Sequence, residues 1–240
     1  MFKRIIPSLL IKNNKLVKGV KFKNHRIVGN PATTAKSLGA QQSDELFAVN
    51  LDSYIDNSKQ NYRIIKEISN STMTPLTFGG GVKSVKEAKN VFLNGADKIY
   101  LNSNLFNNIN LLEDVAKVYG SQSVMAGINI INDLNILEKK NLNALEWIKK
   151  LEDSGAGEVK INFVELEGTS SGFNKKICEK LLKAVSIPLI FEGGIGSLNQ
   201  IKDAFSVGIN SIALGTMIYF KDYNIMKIKQ FLKNNGYQIR

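Results

Sequence analysis

An internal repeat is the feature that most constrains the fold of this 240-residue chain. A shift of 113 positions, without a gap, lays "TPLTFGGGVKSVKEAKNVFLNGADKIYLN" on "IPLIFEGGIGSLNQIKDAFSVGINSIALG". Identical pairs include Pro75/Pro188, Leu76/Leu189, Phe78/Phe191, Gly80/Gly193, Gly81/Gly194, Ser84/Ser197, Lys89/Lys202, Phe92/Phe205, Gly95/Gly208 and Ile99/Ile212. Each copy reads as an apolar strand, a glycine turn, an amphipathic helix and a second apolar strand, the order of a βαβ unit. The repeat therefore predicts neighbouring parallel strands joined by right-handed crossovers.

Short apolar runs bounded by glycine or polar residues predict eight strands. They cover residues 4–10, 45–51, 75–78, 98–101, 123–128, 158–163, 188–191 and 211–214. Helical patterns lie between most of them, and continuous apolar runs suit strands buried on both faces of a parallel sheet. About 250 residues is the usual size of an eight-stranded barrel. We therefore predict an α/β fold, a single-domain (β/α)8 TIM barrel over residues 1–240 with a half-barrel internal repeat, rather than an open doubly wound sheet.

Composition excludes several classes of function. The 43% apolar content is enough for a large core, and no run of 18 uncharged apolar residues predicts a membrane span. The start "MFKRIIPSLLIKNNK" becomes charged too soon for a signal peptide, so we expect a soluble, cytoplasmic protein. A single cysteine, Cys178, and a single histidine, His25, rule out an internal disulfide and leave too few ligands for structural zinc. We expect neither a metal nor a cofactor.

The net charge of +11 raises the question of a nucleic-acid partner. The lysines are scattered, often at the spacing of a helix surface, and aromatic and basic residues do not alternate along a recognisable stretch. This pattern favours solvated helix faces, so we expect no nucleic acid and no membrane partner. A modest positive field would still help to recruit a phosphorylated substrate or an acidic partner.

The ends of the predicted strands carry the functional argument, because TIM-barrel chemistry gathers at the C-terminal strand ends. Glycines follow the third and seventh strands, and glycine or hydroxyl residues follow the fourth, sixth and eighth. The residues in question are Gly79, Gly80, Gly81, Asn102, Ser103, Gly168, Thr169, Gly193, Gly194, Gly215 and Thr216. Free N–H groups at such turns bind phosphate oxygens, although plain turn glycines would give the same pattern. Two equivalent sites predict an elongated substrate with a phosphate at each end.

The chain resembles the HisF family, the cyclase subunit of imidazole glycerol phosphate synthase, over essentially its full length. The resemblance rests on "KRIIPSLLIKNNKLVKGVKF", "DELFAVNLD", "PLTFGGGV", "GADKIYLNS", "GSQSV", "SGAGEVKINFVELEGTSSGF" and "FEGGIGS", in family order. It implies a heterodimer in which a HisH-type glutaminase releases ammonia, which crosses the barrel and reacts with a bisphosphorylated ribonucleotide. It also implies phosphate contacts at Gly81, Asn102 and Ser103 for one end, at Gly168, Gly194, Gly215 and Thr216 for the other, and a lid with Lys18 in the loop after the first strand.

At the opposite end, the resemblance implies an ammonia gate. Four charged residues near the N-terminal ends of strands match the family's salt-bridge gate: Arg4, Glu45, Lys98 and Glu158. Two positive and two negative charges balance, as buried charges must. A core ion-pair ring without a channel would have the same composition.

The catalytic residues depart from the family pattern. The two essential aspartates of the family align with Leu10 and Asn129, and neither a leucine nor an amide can serve as acid or base. Asn50 also stands in place of an aspartate, and the segment after the fifth strand is several residues shorter than usual. The candidate carboxylates that remain are Glu165, Glu167, Glu192 and Asp52, each of which could equally be a structural acid.

Three hypotheses follow from this combination. The first is a divergent synthase subunit whose ammonia goes to another acceptor, since relatives of this kind are associated with surface-sugar pathways that convert an N-acetyl group into an acetamidino group. The second is the standard cyclase of histidine biosynthesis. The third is a non-catalytic barrel that activates the glutaminase.

Overall fold

The computed structural model describes residues 2–55, 62–139 and 141–240. Eight parallel strands form a closed barrel, as predicted. They are β1 (Arg4–Lys12), β4 (Leu46–Asn50), β5 (Leu76–Gly79), β6 (Lys98–Leu101), β7 (Val124–Ile131), β9 (Glu158–Phe163), β10 (Leu189–Glu192) and β11 (Ser211–Leu214). Parallel pairing of β11 with β1, from Arg4↔Ser211 to Pro7↔Leu214, closes the ring. The predicted (β/α)8 TIM barrel is therefore confirmed.

Three further strands lie outside the ring and were not predicted. β2 (Lys15–Val20) and β3 (Lys23–Gly29) form an antiparallel hairpin on the end of β1, where the sequence indicated only a loop. β8 (Asn135–Ile136) folds back antiparallel on the end of β7. Such edge strands are short or largely polar, so they lack the apolar runs that marked the barrel strands.

Helices cover the outside of the barrel. They are α1 (Pro31–Ala40), α2 (Asp52–Ile55), α3 (Tyr62–Ser71), α4 (Val85–Leu93), α5 (Asn110–Tyr119), α6 (Ala144–Asp153), α7 (Lys175–Ala184), α8 (Leu198–Ser206), α9 (Thr216–Phe220) and α10 (Ile225–Asn234). In the part of the chain that the structure describes, no helix is long and apolar enough to span a membrane.

The repeat fixes how two of these helices begin. Ser84 caps α4 by accepting a hydrogen bond from the Glu87 backbone N–H, and Ser197 caps α8 in the same way. In each copy the side chain three residues further on, Glu87 or Gln200, accepts a hydrogen bond from the backbone N–H just before the cap. Both copies thus use a variant of the capping box, which satisfies N–H groups that a helix start leaves free.

Side chains alternate along each barrel strand between two cores. Outward residues pack against the helices in one large apolar cluster. Inward residues form a smaller cluster along the barrel axis, consisting of Ile6, Phe47, Tyr100, Met125, Ile190 and Ala213. The inner cluster lies between the two ends of the barrel, and its composition decides what can pass along the axis.

Candidate active site

The four charged residues predicted for the ammonia gate meet at the N-terminal end of the barrel. Arg4 lies 2.8 Å from Glu158 and 3.6 Å from Glu45, and Lys98 lies 3.0 Å from Glu45 and 2.9 Å from Glu158. The Thr77 hydroxyl also donates to Glu45. Each carboxylate therefore faces both cations, so the charges of this quartet are mutually compensated.

Large side chains fill the axis above the charged quartet. The Phe47 and Tyr100 rings meet edge to face, with centroids 4.8 Å apart. The ammonium group of Lys160, a residue only 2% exposed, lies 4.3 Å from the centroid of the Phe47 ring. These three side chains therefore pack together in the barrel interior, beyond the charged quartet.

A buried ion pair stands next to this packing. Lys160 pairs with Glu192, and the Glu192 carboxylate accepts a hydrogen bond of 3.1 Å from the Ser8 hydroxyl. Burial lowers the pKa of Lys160, and Glu192 partly opposes that shift. Burial alone would raise the pKa of Glu192, but Lys160 and Lys18 outweigh it and hold that pKa below its ordinary value. The Glu192 charge is therefore compensated within the barrel.

The second glycine turn, Gly193 and Gly194, forms one side of a small cleft at the C-terminal end of the barrel, which we call the mouth. Their φ angles are +114° and +89°, and a side chain at Gly194 would overlap the carbonyl of Gly172. The cleft is lined by Lys18, Gly168, Ser170, Gly194, Gly215 and Thr216 among others. The structure thus brings together all the residues predicted for this phosphate end, and it adds Ser170.

Two polar groups at this cleft are notable. Lys18, 3% exposed, forms an ion pair with Glu167, and burial lowers its pKa. Thr216 Oγ1 is buried and has no hydrogen-bond partner among the described residues. Buried hydroxyls are normally hydrogen-bonded, so this one is available to a ligand oxygen.

The first glycine turn, Gly79, Gly80 and Gly81, lies at the end of β5. Gly80 and Gly81 have φ angles of +107° and +75°. Asn102 follows the end of the neighbouring strand β6, and its Nδ2 donates a hydrogen bond of 3.1 Å to the Tyr100 hydroxyl. The Oδ1 atom of Asn102 is buried and has no hydrogen-bond partner among the described residues. Ser103 follows directly, so the residues predicted for the other phosphate end lie at two adjacent strand ends.

The candidate carboxylates at the mouth have structural partners. The Glu167 carboxylate forms an ion pair with Lys18 and accepts a hydrogen bond of 3.3 Å from the Phe22 backbone N–H. These two contacts connect the β2–β3 hairpin to the loop after β9. Glu165 is half exposed on the rim, 3.1 Å from Lys21. The Asp52 carboxylate accepts a hydrogen bond of 2.7 Å from the Asn13 backbone N–H. The structure brings Glu192 into the barrel interior and leaves Glu165 at the surface.

The positions of the two family aspartates lie as expected at strand ends. Leu10 is in β1, paired with Val17 of the hairpin and Val49 of β4. Asn129 of β7 is buried. Its Oδ1 accepts a hydrogen bond of 2.7 Å from Asn162 Nδ2, and its Nδ2 donates one of 2.5 Å to Glu138 Oε1. At Asn129 an amide therefore takes part in a hydrogen-bond chain.

Sequence reasoning missed several polar residues of this interior, namely Ser8, Tyr100, Glu138, Lys160 and Asn162. One signal was available. Glu158, Lys160 and Asn162 alternate along β9, which places a polar stripe on one face of an otherwise apolar strand. Tyr100 and Glu138 gave no comparable signal, because their partners come from other elements.

The mouth thus combines two glycine turns with polar side chains. At the second turn the cleft is lined by Lys18 together with the carboxylates Glu167 and Glu192. Asn102 Oδ1 and Thr216 Oγ1 are buried without a hydrogen-bond partner among the described residues. Among the described residues, no group of three or more His, Cys, Asp and Glu side chains could hold a metal ion.

Comparisons with known proteins agree with this geometry. The family profile described as "Histidine biosynthesis protein" matches residues 4–224. The chain is 33% identical to the imidazole glycerol phosphate synthase subunit HisF of Chlorobium phaeobacteroides over 99% of this chain and 98% of the relative. It is 32% identical to that of Thermococcus onnurineus and 34% identical to that of Flavobacterium psychrophilum, with the same coverage. The chain is a member of the HisF family of synthase subunits.

Proposed function

We propose that this HisF-family subunit receives ammonia from a HisH-type glutaminase and adds it to a phosphorylated acceptor other than the usual ribonucleotide, namely the N-acetyl group of an activated sugar. The observation that carries this proposal is a contrast between the two ends of the barrel. At one end the four charged residues form a compensated quartet and at the other the two glycine turns lie at strand ends, whereas the acid–base positions hold Leu10 and Asn129.

The charged quartet supports the glutaminase partner. Its four ion pairs span 2.8 to 3.6 Å, and the two cations keep 15% and 21% of their side chains exposed. A charged ring that is still accessible at the end of a barrel is suited to meet a partner that supplies a small neutral molecule. Reversal of the charge of Lys98 would place three carboxylates together and disrupt the ring.

The mouth supports a different acceptor. Leu10 can neither donate nor accept a proton, and the Asn129 amide is engaged on both sides by Asn162 and Glu138. The proposed reaction replaces a carbonyl oxygen by nitrogen: an amide and ammonia give an amidine and water. It requires that the amide carbon be held near incoming ammonia and that protons be moved from nitrogen to oxygen.

The test is turnover with defined acceptors. The purified subunit, with its glutaminase and glutamine or with ammonium chloride alone, is incubated with a nucleotide-activated N-acetyl sugar and, separately, with the bisphosphorylated ribonucleotide. We expect an aminated sugar and no cyclised ribonucleotide. Lys98→Glu should abolish the glutamine-dependent reaction but spare the ammonium-dependent one, whereas Lys149→Glu, an exposed change on α6, should alter neither. Conversion of the ribonucleotide alone would overturn the proposed acceptor.

The standard cyclase of histidine biosynthesis is the alternative that the relatives' names suggest. It predicts that the wild-type protein converts the bisphosphorylated ribonucleotide with ammonium chloride. If there is no such turnover, and Leu10→Asp combined with Asn129→Asp creates it, the standard role is rejected and the substituted positions are identified as the cause.

The packing of the barrel interior favours a second candidate, a barrel that activates the glutaminase without consuming an acceptor. Phe47, Tyr100 and Lys160 pack together in the interior beyond the charged quartet. This candidate predicts that the barrel stimulates glutamine hydrolysis while all the ammonia is released to solution. Isolation of an aminated product would exclude it.

A further inference from the structure

Glu138 is a carboxylate at the mouth that the sequence did not single out. β8 pairs with the end of β7 through Ile130↔Ile136 and Ile131↔Asn135, and the backbone N–H of Leu137 donates 2.8 Å to the carbonyl of Asn129. The returning strand therefore brings Glu138 to the side chain of Asn129.

The two carboxyl oxygens of Glu138 differ in their hydrogen bonding among the described residues. Asn129 Nδ2 donates 2.5 Å to Glu138 Oε1, and the amide orientation is fixed because Asn162 donates to Asn129 Oδ1. Oε2 of Glu138 is buried and meets no donor at bonding geometry among the described residues. Buried carboxylate oxygens are rarely left unsatisfied, so this atom has the character of a ligand-facing group.

The electrostatic surroundings agree with a role in proton transfer. Burial raises the pKa of Glu138, and the neighbouring polar groups, namely the Glu138 backbone N–H, the Asn129 amide and the Ser103 hydroxyl, offset only part of that shift. Among the residues that the structure describes, the groups that interact with it electrostatically are the amide of Asn129, the hydroxyl of Ser103 and the neutral phenol of Tyr100. None of these three groups is a cation that would stabilise the ionised form. A carboxyl group with a raised pKa is suited to both give and accept a proton.

We propose that Glu138, delivered by the β7–β8 return, is the acid–base residue of the mouth in place of a strand-end carboxylate. The inference rests on the proposed function. Ammonia attacks the amide carbon through its lone pair, and the carbonyl electrons move to oxygen. Glu138 carries one proton from nitrogen to oxygen, giving a tetrahedral adduct, and then carries a second from the same nitrogen to the hydroxyl. The hydroxyl leaves as water while the C=N bond forms, and Glu138 ends in its starting state.

Glu138→Gln tests this role with little structural change, because the glutamine oxygen can still accept from Asn129. We expect kcat with ammonium chloride and a nucleotide-activated N-acetyl sugar to fall about 10²- to 10⁴-fold, with loss of the corresponding limb of the pH–rate profile. Asn129→Asp in the Glu138→Gln background should restore part of the activity by supplying a carboxylate next door. Glu146→Gln, the same change at an exposed position of α6, should leave kcat unchanged. Wild-type kcat in Glu138→Gln would overturn the proposal.

A titration separates this inference from the choice of acceptor. Protein labelled with 13C at glutamate carboxyls is titrated by NMR, and the Glu138 signal is identified by its loss in Glu138→Gln. A midpoint above the ordinary value of 4.5 supports the proposal, and one at or below 4.5 overturns it, whether or not any acceptor reacts. If wild type converts neither acceptor, the proposed function fails, and a midpoint at or below 4.5 would overturn the assignment of Glu138 independently of that failure.

Discussion

The two copies of the repeat differ in the barrel interior. In the first copy, Gly79 pairs with Tyr100 across β5 and β6; at the matching positions of the second copy, Glu192 pairs with Ala213 across β10 and β11. A side chain at Gly79 would meet the Tyr100 ring at 2.7 Å. Each half therefore places one large and one small residue at this level, but in opposite order.

The difference shows how a duplicated scaffold fills a shared core. A barrel interior is packed in layers, so a large residue on one strand requires a small one beside it. The first half contributes a phenol that packs on Phe47, and the second contributes a carboxylate that neutralises Lys160. Outside the interior the two copies are alike. In both, glycines with positive φ angles form the turn and a serine side chain caps the helix that follows.

The largest effect is expected when the second copy loses its carboxylate. Glu192→Ser leaves Lys160 buried without its counter-charge, which should cost about 3–5 kcal/mol of the free energy of unfolding. Urea denaturation measures the loss. Adding Lys160→Met should recover much of it, since an apolar side chain of similar length needs no partner. A Glu192→Ser protein as stable as wild type would mean that the ion pair does not stabilise the interior.

The next effect concerns the space around Tyr100. A side chain at Gly127 would overlap the Tyr100 hydroxyl and ring, so Gly127→Ala should cost about 1–3 kcal/mol by overpacking. Tyr100→Ser should make the same alanine nearly neutral in thermal or urea unfolding. If Gly127→Ala costs as much in the Tyr100→Ser background, the phenol is not the cause.

The caps should respond equally in the two copies. Ser84→Ala and Ser197→Ala each remove one hydrogen bond to a helix N-terminus, and each should cost about 1 kcal/mol. Equal losses in urea denaturation would confine the asymmetry to the interior. A much larger loss at one cap would show that the copies also differ outside it.

The smallest effect is confined to acid pH. The pKa of Glu192 is lowered in the folded protein, so its stabilising contribution is fully present above the ordinary value of 4.5 and is lost as the pH falls through the lower folded value. The stability difference between wild type and Glu192→Gln should therefore shrink as the pH is lowered in urea-unfolding experiments. A difference that grows in acid would contradict the lowered pKa.

Much of the fold and part of the site could be read from the sequence. The predicted strand 98–101 coincides with β6 and the strand 158–163 with β9, because a buried parallel strand leaves an apolar run between turn residues. The residues of the charged quartet and of the two glycine turns also lie at the expected ends of the barrel. The β2–β3 hairpin was missed because "KNHRIVG" is polar and largely exposed.

The sequence by itself determined the repeated strand, turn and helix units, since glycines at positive φ and serine caps act through neighbouring residues of the chain. Only the tertiary structure decided which interior side chains meet. Alternation shows the face to which a residue points, but its neighbour depends on the register in which all eight strands close. For this reason Lys160 with Glu192, and Glu138 with Asn129, became visible as pairs only in the closed barrel.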